Sequence, residues 1–168
     1  LNCENRVPVT SKKDYAGGIV GRMDLGYILD CRNYGNVEST DGSYVGGIAG
    51  SSASTIRRSQ SKCMTSGKNF VGGIAGDGYN LTENLAFVSI GDGEMYCGAI
   101  AGRVDDEGEI SSNRFVENGS AGIDGVSYAG KAEPISYESL MAEENAPEEF
   151  GKFTLTYIAD DTLAGRVS

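Results

Sequence analysis

The sequence predicts an all-β protein, a parallel β-solenoid of four to five rungs. Three observations carry that prediction. The stretch YVGGIAG (44–50) returns as YAGGIVG (15–21), FVGGIAG (70–76) and YCGAIAG (96–102). Between the copies lies a second segment that alternates small or apolar residues with polar ones, the period-two pattern of a half-buried strand. The composition agrees: 25 glycines and 39% apolar residues in 168 disfavour helices, where glycine costs about 1 kcal/mol against alanine.

Taken in order, the chain opens with CEN (3–5), which matches CRN (31–33). It is therefore expected to begin midway through a repeat and to be a piece of something longer. The aromatics that open the units are Tyr15, Tyr44, Phe70, Tyr96 and Tyr128, at steps of 29, 26, 26 and 32. Each glycine segment is uncharged on both faces, as in a strand covered on both sides. Tyr44, Gly46 and Ile48 share one face, and Val45, Gly47 and Ala49 the other, whose small residues suit a close backbone neighbour. In the second segment Cys31, Asn33, Gly35 and Val37 point inward, as do Asn84, Ala86, Val88 and Ile90. The fourth unit puts Glu117 on that inner register, which predicts a loop or the end of the stack.

Two short strands cannot bury a core alone, but stacked units can, with like positions forming columns. Ile19, Ile48, Ile74 and Ile100 are expected as one inner column. Tyr15, Tyr44, Phe70 and Tyr96 are expected as an aromatic column, and Asn5 with Asn33 as a short amide ladder. The repeats are assigned to residues 1–130. Residues 131–151 form a cap or linker in which SYESLMAEE (136–144) reads as a short helix. Its N-cap is Ser136, and Tyr137, Leu140 and Met141 are expected to cover the open end of the stack. Residues 152–168, with FTLTYIA (153–159), read as the start of a following β module.

The pattern aromatic-x-G-G-I-x-G followed by I-x-x-C-x-N-x-G-x-V resembles the GLUG-motif repeats of bacterial surface proteins. The unit YAGGIVG…ILDCRNYGNV carries it nearly throughout; later units keep the glycine half and replace Cys with Ser59 or Asn84, and Asn with Ser61 or Ala86. The resemblance implies a secreted or wall-attached protein and no catalytic residue within the repeats. The function expected from it is a spacer, or an adhesion surface for a host or cell-wall glycan or protein. The alternative is an accessory region of a surface hydrolase, peptidase or glycosidase, whose catalytic domain lies elsewhere.

Chemistry read from the residues points the same way. A net charge of −10 opposes nucleic acid and anionic membranes, and no apolar run reaches the roughly 20 residues of a membrane span. With no histidine, a Ser or Cys nucleophile lacks its usual base and zinc lacks a common ligand. No catalytic, cofactor or metal residue is assigned, and a monomer is expected. Asp105, Asp106, Glu107 and Glu109 form an acidic loop whose spacing fits no Ca²⁺ loop and reads as a solvated turn. Cys3, Cys31, Cys63 and Cys97 are expected as packed thiols, with Cys3 and Cys31 sharing a column as the one pair open to bonding.

Overall fold

The computed structural model describes residues 1–153, and these wind into a parallel β-solenoid of about four turns with three flat sides. The strand expected at 153–159 lies, beyond Phe153, outside the described residues. The first side stacks the alternating segments, in the register Glu4↔Arg32, Arg32↔Gln60, Gln60↔Leu85 and Leu85↔Arg114. The second stacks Ala16–Gly17, Val45–Gly46, Asn69–Gly72 and Met95–Gly98. The third stacks Val20–Met23, Ala49–Arg57, Ala75–Thr82 and Ala101–Val104. All the strand pairs are parallel.

The alternation of the first side is as the sequence predicts. Cys31, Asn33, Gly35 and Val37 are buried while Arg32, Asn36 and Glu38 are exposed. Glu117 falls just past the strand Asn113–Val116 and faces solvent, so the break in the fourth unit is a loop. Asn5 Nδ2 donates to Asn33 Oδ1 at 2.8 Å, the expected amide ladder. A second one, in the neighbouring column, joins Asn84 Nδ2 to Asn113 Oδ1 at 2.9 Å.

The glycine segment is not one strand. It turns a corner after its second glycine, so Val45–Gly46 lies on one side and Ala49 begins the next. At that corner one carbonyl serves two donors: the N–H groups of Ile48 and Ala49 both bond to the Ile74 oxygen, at 2.9 and 3.0 Å, and Ile74 and Ala75 repeat this with Ile100. Ile48, Ile74 and Ile100 are fully buried. In the next turn Gly122 takes the isoleucine's place, its oxygen accepting the Ile100 and Ala101 N–H groups, and the buried Ile123 lies beside Ala101. A Cβ on Gly72 would stand 1.9 Å from the Ala75 oxygen and 2.8 Å from the Ala101 Cα, which is backbone on both sides.

The other two corners are each made by one residue in the left-handed region, and most are not glycine. Asn2, Asp30, Arg58, Glu83 and Ser112 turn one corner, with φ between 47° and 58°. Tyr15, Tyr44, Phe70 and Tyr96 turn the other, at 67°, 63°, 56° and 57°. The corner reverses the side chain, so the aromatics stand half-exposed on the outside. The expectation of a face shared with the inward isoleucines is thereby corrected. The rings do stack, with centroids 4.9, 4.6 and 4.7 Å apart.

Two further readings are corrected at the C-terminal end. The fifth unit does not start at Tyr128, which lies in a tight turn bridged to Ala132. It starts at Ala121 and Gly122, whose oxygens accept the Ala99 and Ile100 N–H groups, and it has no aromatic. Ala132–Ile135 then adds a final strand to the first side, past the expected boundary at residue 130, and Pro134 leaves its outer edge short of a donor. The helix Tyr137–Met141 forms as expected, its N-terminus closed by Ser136 Oγ accepting from the Ser139 N–H at 3.2 Å. It does not cover the end of the stack. It lies on the outer flank of the first side, because that is where the uncovered apolar residues are.

Two substitutions should move stability in opposite directions. Gly72→Ala drives a methyl into backbone on both sides and should cost about 3 kcal/mol, read from urea or thermal unfolding. Thr65 is fully buried between Val37 and Ile90, and its hydroxyl has no partner. Thr65→Val keeps the shape, removes the orphaned hydroxyl and should stabilise by about 1 kcal/mol in the same assay.

Candidate functional site

The outward residues of the first side build the most developed feature on the surface. Tyr34, Lys62, Phe87 and Val116 fall one above another, one place along from the paired Asn33, Ser61, Ala86 and Phe115. Leu85 flanks Phe87 on the same face. Three of these four row members, Tyr34, Phe87 and Val116, are aromatic or aliphatic. What covers them is residues 136–153, a strap of one α-turn and one 3-10 turn, Glu148–Gly151. Leu140 and Phe150 are fully buried against Leu85 and Val116, with Tyr34, Phe87, Ile135, Tyr137 and Met141 around them.

Charges fix the strap at both ends. Arg114 holds Glu143 through two bonds, Nη1 to Oε1 at 2.6 Å and Nη2 to Oε2 at 3.1 Å. Arg6, in the first turn, reaches Glu149 at 3.2 Å, and its guanidinium lies 4.9 Å over the Tyr34 ring. Lys62 donates to the Glu149 carbonyl at 2.8 Å and to the Lys152 carbonyl. Burial lowers the Lys62 pKa, while hydrogen bonds from Lys152 and Arg6 hold the Glu149 carboxyl down at about 2. Arg114 lowers Glu143 in the same way. Tyr34, Lys62, Glu149, Lys152 and Phe153 line a cleft of about 360 Å³ beside the strap.

The remaining sequence candidates are scattered. Asp105, Asp106, Glu107 and Glu109 form a turn in which Asp105 Oδ1 accepts from the Glu107 N–H at 2.9 Å and Asn80 Oδ1 from the Glu109 N–H at 2.8 Å. Their bonds go to backbone, and among the described residues no three acidic or cysteine side chains gather as a metal would require. All four cysteines are free thiols. Burial pushes the Cys63 thiol up to about 12 and raises Cys97, so neither is poised as a thiolate. At the corner of left-handed residues, Arg58 pairs with Asp30 at 2.8 and 2.9 Å and Arg57 with Glu83 at 2.8 Å. These pairs tie one turn to the next.

Sequence reasoning missed the strap as a flank cover. The signal was present, since an outward apolar row and an amphipathic segment with matching charges both lacked a partner. No family model, curated protein or solved structure matches this chain. No helix among the described residues is long and apolar enough to cross a membrane.

The strap should loosen in acid. Glu149 and Glu143 have folded pKa values below the ordinary value of 4.5. Their contribution is therefore complete above about 4.5 and is lost as pH falls through each lowered value, about 2 for Glu149. Amide protection across 136–153, taken relative to the intrinsic rate at each pH, should fall over that window while the isoleucine corners stay protected. Glu149→Gln should loosen the strap already at neutral pH and flatten its dependence on pH.

Proposed function

We propose that this region is non-catalytic and serves a bacterial extracellular or cell-surface protein as a spacer with lateral binding surfaces. The observation that carries the reading is the uniform stack itself. The aromatic column rises by 4.6 to 4.9 Å per turn over four consecutive turns, locked by a doubly used carbonyl at each corner. Such an array sets a distance in fixed increments, which is what a spacer does. The GLUG-like repeats support the surface location, and the inward residues are fully accounted for by packing. Several charged groups on the corners and flanks are bound into ion pairs, and the acidic loop lies open to solvent, where nothing shields a carboxylate for proton transfer.

The lateral surface suits a host or cell-wall glycan or protein rather than nucleic acid, given the net charge of −10. The 168-residue chain should turn over no polysaccharide or peptide substrate, with or without Ca²⁺. Turnover abolished by a single carboxylate substitution would overturn the reading. Duplicating residues 70–95 should insert one turn and lengthen the particle by about 4.8 Å in solution scattering.

A further inference from the structure

The aromatic column holds a chemistry that spacing does not require. Tyr15 and Tyr44 are the one pair of tyrosines stacked ring on ring among the described residues, with centroids 4.9 Å apart and planes 15° from parallel. Beyond them Phe70 separates Tyr44 from Tyr96. The two tyrosines share the same left-handed backbone, φ 67° and 63°, and the residues after them, Ala16 and Val45, are in register. Both rings are therefore turned the same way. Tyr15 keeps 36% of its surface, so a reagent can reach the pair and its ring can roll against Tyr44.

We infer that Tyr15 and Tyr44 form an oxidative cross-linking site, in which a dityrosine bond joins the first turn to the second. The co-reactant is a one-electron oxidant of the class a haem peroxidase generates from hydrogen peroxide. Each phenol gives up one electron and its hydroxyl proton. The two phenoxyl radicals then pair in a carbon–carbon bond between the ring carbons ortho to the oxygens. Each of those carbons loses its hydrogen as a proton and each ring oxygen regains one, which restores two aromatic phenols. The two electrons and two protons removed reduce one hydrogen peroxide to two waters.

Phe70 makes the site selective. It keeps the stack continuous but carries no hydroxyl, so no phenoxyl forms beside Tyr44 on that side or beside Tyr96. Tyr27 is 71% exposed and has no stacked neighbour, so its oxidation leads between molecules rather than within one. Tyr34 is covered by the strap, and Tyr137 is packed within it. A bond from residue 15 to residue 44 closes a loop through one whole turn, which constrains the unfolded chain and raises the thermal midpoint.

The test treats the dilute 168-residue chain with a haem peroxidase and hydrogen peroxide, isolates the monomer, and maps linked peptides by mass spectrometry. The monomer should gain dityrosine fluorescence, a 15–44 link and a higher thermal midpoint. Tyr15→Phe and Tyr44→Phe, which keep the stack as Phe70 does, should each lose all three, while Tyr27→Phe should lose none. Phe70→Tyr should add links from position 70 to Tyr44 and to Tyr96. A monomer whose dityrosine maps to other positions would overturn the site. So would oxidation of Tyr27 with no 15–44 link in a chain that keeps its strand spectrum.

Discussion

Everything in this solenoid depends on how tightly the backbone turns at the isoleucine corner. There the oxygen of Ala75 lies where the Cβ of residue 72 would be, and the same holds for Ala49 and residue 46. Only a residue without a side chain permits that approach, and the approach lets one isoleucine carbonyl accept two N–H groups from the turn before it. The corner therefore fixes the register between turns as well as the direction of the chain. Once it is fixed, asparagine must meet asparagine, ring must meet ring, and Arg58 must meet Asp30.

The aromatic corner is a balance of two opposing effects. A bulky residue in the left-handed region costs about 1–2 kcal/mol against its ordinary backbone. An aromatic pair returns about 0.5–1.5 kcal/mol beyond burial, and an interior ring such as Tyr44 or Phe70 stacks on both faces. The strain and the stacking thus nearly cancel in the middle of the column. That accounts for an aromatic, rather than glycine, at each of these corners. It also accounts for the column stopping at Tyr96, since the fifth turn has only Ala121 and Gly122 in the equivalent segment.

Much of the architecture was legible in the sequence because stacking repeats the same requirement on every turn. The inner register of Cys31, Asn33 and Val37 and the isoleucine column follow from side-chain alternation and from identity between units. The corners were not legible as corners: a non-glycine residue at positive φ leaves no mark in a hydrophobic pattern, so Tyr44 looked like a strand residue on the face of Ile48. Tyr128 misled for a related reason, since it repeats the letters of the motif without the neighbours that make the corner. The strap was half legible. Its helix and cap could be read from Ser136 onward, but its destination depended on which surface of the stack remained apolar, and that emerges only once Tyr34, Phe87 and Val116 are brought to one flank.

The strap has a mechanical consequence. It leaves the stack at Ile135, on the last strand, yet it is anchored to Arg6 in the first turn through Glu149. A pull applied at residue 153 therefore does not enter the solenoid at its nearest end. It first loads the Glu149 contacts on the opening turn, and must peel Phe150 and then Leu140 from the flank before the final strand feels any tension. The weakest contacts bear the force first and yield in sequence, so the strap acts as a shock absorber in series with a stiff rod.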